Sequence, residues 1–278
     1  MQRSEIGAAL DHLCVSSPEP ERLAAFFAKG YGMQSRPVAG GLIECSASQR
    51  RVYVKQGPAH QAAFFAYSLA DHTALGAFRS RLMRSGVALD RSLSPEFDDT
   101  AFAVNDPDGN IVIFGVRTGA IAPTEGLPAR LQHIVFRSIN LDAMVEFYEH
   151  KLGFVVSDRV KDGDGVLRAC FMRTDVEHHS LAVFRSPESR LDHHSYETTD
   201  WEHIRRWADH LARRDIPIFW GVGRHGPGDD LFFMVKDPDD NLVEISAEIE
   251  QCNESRTEGL WPHGERTLNV WGNAILRS

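Results

Sequence analysis

The chain has 278 residues, 42% hydrophobic and 25% charged, with a net charge of −9 when histidine is neutral. This composition excludes a disordered, collagen-like or disulfide-scaffolded chain, and an acidic sequence without a long Lys/Arg run argues against nucleic acid or an anionic membrane as partner. The length suits about two domains with a sizeable core.

The opening MQRSEIGAALDHLC lacks a long apolar h-region, and no apolar run approaches the roughly 18 residues of a membrane span. Cys14, Cys45, Cys170 and Cys252 are scattered without a CxxC pair. Reduced thiols in a cytoplasmic protein are the simplest expectation.

In chain order, LDH (10–12) begins a strand and leads to PEPERLAAFFAKG (18–30), an amphipathic helix expected to stop at Gly30. RVYVKQ follows as a strand. The next helix is DHTALGAFRSRLMRSG (71–86), with Asp71 as N-cap and Gly86 as stop. AFAV (101–104) and NDPDGNIVIF (105–114) read as strand, turn, strand. A Gly/Pro-containing linker, TGAIAPTEGLPAR, precedes LQH (131–133). The third helix, NLDAMVEFYEHKLG (140–153), runs from Asn140 to Gly153 with Met144, Phe147, Tyr148 and Leu152 at helical spacing. RACFMRT and SLAVF are strand-like. LDH (191–193) introduces DWEHIRRWADHLARR (200–214), capped by Asp200. LFFMV (231–235) and KDPDDNLVEI (236–245) repeat the earlier strand–turn–strand. A polar tail with Trp261 and Trp271 is expected to pack on the body.

The chain thus repeats four times a unit of strand, helix and several strands, each of about 55–65 residues. Two units make one half. The expected fold is α+β in two domains, 7–118 and 130–248, followed by the tail 249–278.

The stretch EHHSLAVFRSPESRLDHHS (177–195) holds two His-His doublets. A strand sends neighbouring side chains to opposite faces, so one member of each doublet should face a site and the other, His178 and His194, should face outward. The repeat aligns His193 with His133 at the start of equivalent strands. Glu244 stands mid-strand between Val243 and Ile245, where a carboxylate is costly unless paired or bound to a cation. The first half has Ile113 at the corresponding place, Phe64 at the place equivalent to His193, and His12 as the remaining histidine. A lone strand histidine is usually structural, but three candidates at repeat-consistent places point to a facial triad. Two imidazoles and one carboxylate suit Fe(II), and also Mn(II) or Zn(II), with positions left open.

On these residues the chain resembles the vicinal oxygen chelate superfamily, and within it the two-domain type I extradiol ring-cleavage dioxygenases. The resemblance covers about residues 7–248. It implies paired βαβββ modules in each domain, with the metal in the C-terminal one, held by His133, His193 and Glu244. It implies His179 as general acid/base and His225 as a further active-site histidine. At the ordinary imidazole pKa of about 6.5, His179 could hold and release a proton near neutral pH. The implied reaction is cleavage of an aromatic diol by O2 beside its hydroxyls. A homo-oligomer is implied by analogy. Val135, Phe232, Trp220 and Met234 are candidates for the substrate pocket. Met234 is a departure, because these enzymes usually place there a tyrosine that hydrogen-bonds substrate, and methionine cannot donate. Two other readings stay open: a non-oxidative metal-dependent isomerase, lyase or hydrolase of the same superfamily, and a small-molecule binding or resistance protein.

Overall fold

The structure, a computed structural model, describes residues 6–119 and 126–277. Four βαβββ modules follow one another. The first is β1 (Ala8–Ser17), α1 (Pro20–Tyr31), β2 (Gln34–Val38), β3 (Leu42–Ala47) and β4 (Arg50–Gln56). The second is β5 (Gln61–Leu69), α2 (His72–Arg84), β6 (Asp90–Arg91), β7 (Phe102–Asn105) and β8 (Ile111–Gly115). The third is β9 (Arg130–Ser138), α3 (Leu141–Glu146), β10 (Val155–Lys161), β11 (Leu167–Arg173) and β12 (Leu181–Arg185). The fourth is β13 (Arg190–Thr198), α4 (Trp201–Ala212), β14 (Ile218–Arg224), β15 (Leu231–Lys236) and β16 (Leu242–Ala247). The tail adds β17 (Gly259–Pro262) and a single helical turn, α5 (Glu265–Leu268).

Modules pair into two sheets, ordered β2-β3-β4-β1-β5-β8-β7-β6 and β14-β15-β16-β13-β9-β12-β11-β10-β17. In each, the first strands of two modules lie antiparallel at the centre, β1 on β5 and β13 on β9. The tail strand β17 extends the second sheet beside β10.

The helices begin where short polar side chains can satisfy free N–H groups. Asp71 accepts from the Ala74 N–H at 2.8 Å, and Asp200 from that of His203 at 2.9 Å. Asn140 makes no such bond; its amide reaches Asp108 of the other half instead. The first helix runs past Gly30 to Tyr31 and ends on Gly32, whose φ of 63° suits a residue without Cβ. Past Glu146, the third helix loosens into a π-turn over Phe147–Leu152 before Gly153.

Strand alternation sorts side chains into two environments. Leu13, Val15, Ile134, Phe136, Val243 and Ile245 point into one core shared by both halves. The opposite faces are separate: His12, Cys14, Phe64 and Ile113 lie together in the first half, and Val135, Phe232 and Met234 in the second. The four cysteines are buried and unbonded.

The halves also exchange their Asp-Pro-Asp turns. Asp106 accepts from the Tyr148 hydroxyl at 2.9 Å, and Asp108 from Asn140 and Ser189. In return, Asn241 meets the His60 ring at 3.0 Å, and the Leu191 N–H donates to the His60 carbonyl at 2.9 Å. Phe65 packs on Phe136 and Tyr67 on Phe154 across the junction. Among the described residues, no helix is long and apolar enough to cross a membrane.

Candidate metal centre

Three central strands deliver His133, His193 and Glu244 to one point. Ser195 of β13 lies opposite both His133 of β9 and Glu244 of β16 in register. The two histidines and the glutamate are all buried, and one ligand atom from each lies within 4.8 Å of the others.

A local irregularity prepares each histidine. The register slips at the middle residue of each L-x-H segment: between Leu10 and His12, between Leu131 and His133, and between Leu191 and His193. A bulge re-aims the intervening side chain, so that it bonds the very next ring. The His193 Nδ1 donates to Asp192 at 2.6 Å, and the His133 Nδ1 to the Gln132 Oε1 at 2.5 Å. The Gln132 orientation is fixed because its amide nitrogen donates to the His179 carbonyl at 2.7 Å. With a proton on Nδ1 bonded in this way, each ring turns its Nε2 toward the site.

Those nitrogens face Glu244. The His133 Nε2 is 3.4 Å from Oε1, and the His193 Nε2 is 3.8 Å from Oε2. Oε1 accepts from the Ser195 hydroxyl at 3.0 Å, whereas the buried Oε2 has no hydrogen-bond partner among the described residues. Burial alone would raise the Glu244 carboxyl, but His225, His193 and Ser195 hold it below its ordinary value. His133 is pushed well below the ordinary imidazole range by burial and by the neighbouring rings of His179 and His193. Without a hydrogen on either Nε2, the two rings and the ionised carboxylate hold no donor for one another. A divalent cation satisfies all three, so the residues present fit such an ion.

His179 and His225 face the same pocket, whose wall also includes Val135, Phe171, Phe184, Pro227, Met234, Leu268 and Arg277. Burial and the neighbouring His178 push His179 well below the ordinary range. It is therefore a neutral base near pH 7, not the half-titrated group expected from an exposed imidazole. Burial would lower His225 too, but Glu244, 3.6 Å from its Nε2, and Asp230 raise it. The His225 Nδ1 donates to the Leu268 carbonyl at 2.5 Å.

Several expectations are corrected. Phe232 and Trp220 are not among the residues that line this pocket. Phe232 stacks flat on His225, with centroids 3.8 Å apart, and the Trp220 indole donates to the Asn273 carbonyl. His178 and His194 do not face outward; both are fully buried. The strand starts at Leu181, so His178 and His179 lie in a loop where alternation has no force. His194 does point away from the site, but into the shared core between Phe27 and Tyr196.

Sequence reading missed four contributors. Asp192 and Gln132 were visible as the middle residues of the L-x-H segments. Asp230 is fully buried, has no partner for either oxygen among the described residues, and is pushed up to about 7 by burial. Arg277, from the tail, pairs with Asp192 at 3.0 Å.

The chain is similar to proteins that are already known. Residues 130–245 match the Glyoxalase/Bleomycin resistance protein/Dioxygenase superfamily. The chain is 26% identical to Metapyrocatechase 2 of Cupriavidus necator, over 98% of this chain and 93% of that protein. It superposes on the Mn(II)-bound glyoxalase from Novosphingobium aromaticivorans with a TM-score of 0.80 and 22% identity, over 97% of this chain and 91% of that one. Its TM-score is 0.81 with homoprotocatechuate 2,3-dioxygenase from Brevibacterium fuscum in complex with 3,4-dihydroxyphenylacetate, at 19% identity, over 96% and 89% of the two chains. Both structural likenesses are likenesses of fold.

Proposed function

We propose that this chain, which belongs to the glyoxalase/bleomycin resistance protein/dioxygenase superfamily, is an Fe(II)-dependent extradiol dioxygenase that opens a catechol-type aromatic diol with O2 in aromatic catabolism. The observation that carries this reading is the convergence of His133, His193 and Glu244 on a mostly apolar pocket that His179 and His225 also enter.

His133, His193 and Glu244 would hold the metal. Bound Fe(II) supplies Lewis acidity toward the two hydroxyls and a route for electrons from diol to O2. Mn(II) accepts the same nitrogen and oxygen donors. The remaining work belongs to side chains. His179, neutral because it is buried, takes a proton from a substrate hydroxyl and returns it as the ring opens. His225, whose proton is held more tightly, donates toward negative charge developing on oxygen. Val135, Phe171, Phe184 and Leu268 keep water away and strengthen both interactions. The same reading places a homo-oligomer in the cytoplasm, by analogy with the superfamily.

Met234 favours a second reading. It lines the pocket and offers no donor, so a non-oxidative reaction of the same superfamily is the alternative. Oxygen uptake separates them. Protein loaded anaerobically with Fe(II) and given a panel of catechols should consume O2 and form a yellow ring-opened product. Bound metal with no uptake across the panel would overturn the dioxygenase reading.

A further inference from the structure

His178 has no part in the chemistry just described, yet it is fully buried and touches His179. Its Nδ1 lies 3.0 Å from the His179 Nδ1. Its Nε2 lies 3.1 Å from the Asp158 Oδ2, a contact that does not meet hydrogen-bond geometry. Asp158 is buried as well, and the tail surrounds it with donors. The Arg256 Nη2 donates at 2.8 Å, the Trp261 indole at 2.7 Å and the Gly259 N–H at 3.2 Å. Burial would raise the Asp158 carboxyl, but His178 and Arg256 hold it low, so it is an acceptor only.

The proton positions along this line follow from donor and acceptor roles. The His178 Nε2 is the nitrogen that faces the carboxylate, and so the one placed to carry the hydrogen. With its hydrogen on Nε2, the ring offers Nδ1 as an acceptor. The 3.0 Å contact between the two Nδ1 atoms then takes its proton from His179. His179 is thereby held as its Nδ1–H tautomer, and its Nε2 is left as the bare nitrogen for the pocket that the ring lines. Neutral histidine in water prefers the opposite tautomer, so the neighbour makes a difference that can be measured.

We propose that His178 is a positioning residue for His179, fixing the tautomer that leaves Nε2 ready to accept a proton, and that Asp158, clamped by the tail, orients His178. This deepens the dioxygenase reading and rests on it for its kinetic consequence, but the tautomer can be read without turnover.

The test is 15N NMR of histidine-labelled protein, metal-free and with diamagnetic Zn(II), with His179 assigned by its loss in His179→Gln. The expected wild-type spectrum shows a protonated Nδ1 and a bare Nε2 on His179. In His178→Phe the tautomer should reverse. In His178→Asn, where the amide oxygen can stand in for the lost acceptor, it should be retained. With Fe(II) bound, His178→Phe should lower kcat by about 10- to 100-fold, with metal content and KM for the diol little changed, and His178→Asn should recover most of the loss. A wild-type His179 protonated on Nε2, or a His178→Phe spectrum like that of wild type, would overturn the proposal. The wild-type spectrum alone decides the tautomer, so a variant that fails to fold does not protect the idea. If no diol is turned over by wild type, the dioxygenase reading fails while the tautomer result stands.

Discussion

The two halves of the molecule place different residues on the same scaffold. His12 faces Ala66 in the first half as His133 faces Ser195 in the second, and Ala66 lies beside Ile113 as Ser195 lies beside Glu244. Even the support of the histidine is shared: the His12 Nδ1 meets Asp11 at 2.6 Å, and Asp11 is held by Arg117. The difference lies in what the ring faces. The His12 Nε2 meets the Ser94 hydroxyl at 2.8 Å, and Tyr53, Phe64 and Phe97 enclose the ring. One ligand-type residue without its two companions is absorbed into an ordinary hydrogen bond. A metal centre therefore depends on three donors arriving together, and the fold only supplies the places.

Five substitutions would break or sharpen this contrast. Glu244→Gln removes the charge on which the second site depends. Turnover should fall by at least about 10,000-fold, equivalent to roughly 5 kcal/mol, and metal analysis after dialysis should find the protein depleted. Ile113→Glu introduces the corresponding charge into the first half. Phe64 and Phe97 cannot satisfy it, so the protein should lose about 3–5 kcal/mol in urea unfolding without binding a second ion.

Asp192→Asn and Asp11→Asn form a matched pair. Metal affinity, measured by competition with a chelator, should drop about 10- to 100-fold for the first and stay unchanged for the second. Both should lower stability. Each aspartate is held below its ordinary pKa against the upward push of burial, Asp192 by Arg277 and His193, and Asp11 by His12 and Arg117. A carboxylate lowered on folding stabilises above its unfolded pKa of about 4 and loses that contribution as pH falls through the lowered value. The stability difference from wild type should therefore be flat through neutral pH and shrink as pH falls from about 4 through the lowered value, as thermal melts across pH would show. The smallest effect is expected for Ser94→Ala, which leaves the His12 Nε2 buried and unpaired at a cost of about 1–2 kcal/mol, with no change in activity.

Much of this was legible in the sequence, for identifiable reasons. The repeated L-x-H segments and Asp-Pro-Asp turns exposed the four modules, and Glu244 betrayed itself as an acid in an apolar strand. Helix starts at Asp71 and Asp200 followed from capping chemistry. The misreadings came from applying strict alternation where the backbone departs from it. Bulges turn Asp192 and Gln132 toward the rings that follow them, and His178 precedes the strand to which it was assigned. Asp158, Arg256 and Arg277 carry no local pattern, because their role comes from a tail that returns over a long separation.

The exchanged turns have a consequence for the molecule's history. Parted from its twin, either half would expose the face that holds Phe65 and Tyr67, or Phe136 and Phe154, at about 2–3 kcal/mol for each ring. It would also lose the partners its Asp-Pro-Asp turn now finds across the junction. A half-length ancestor of this design would thus have needed a second copy of itself, with two equal sites. Joining the copies covalently replaces a concentration-dependent encounter with a permanent one. After that step only the shared face has to be preserved in both copies. The first half can lose its chemistry and still be indispensable, as the resident partner of the second.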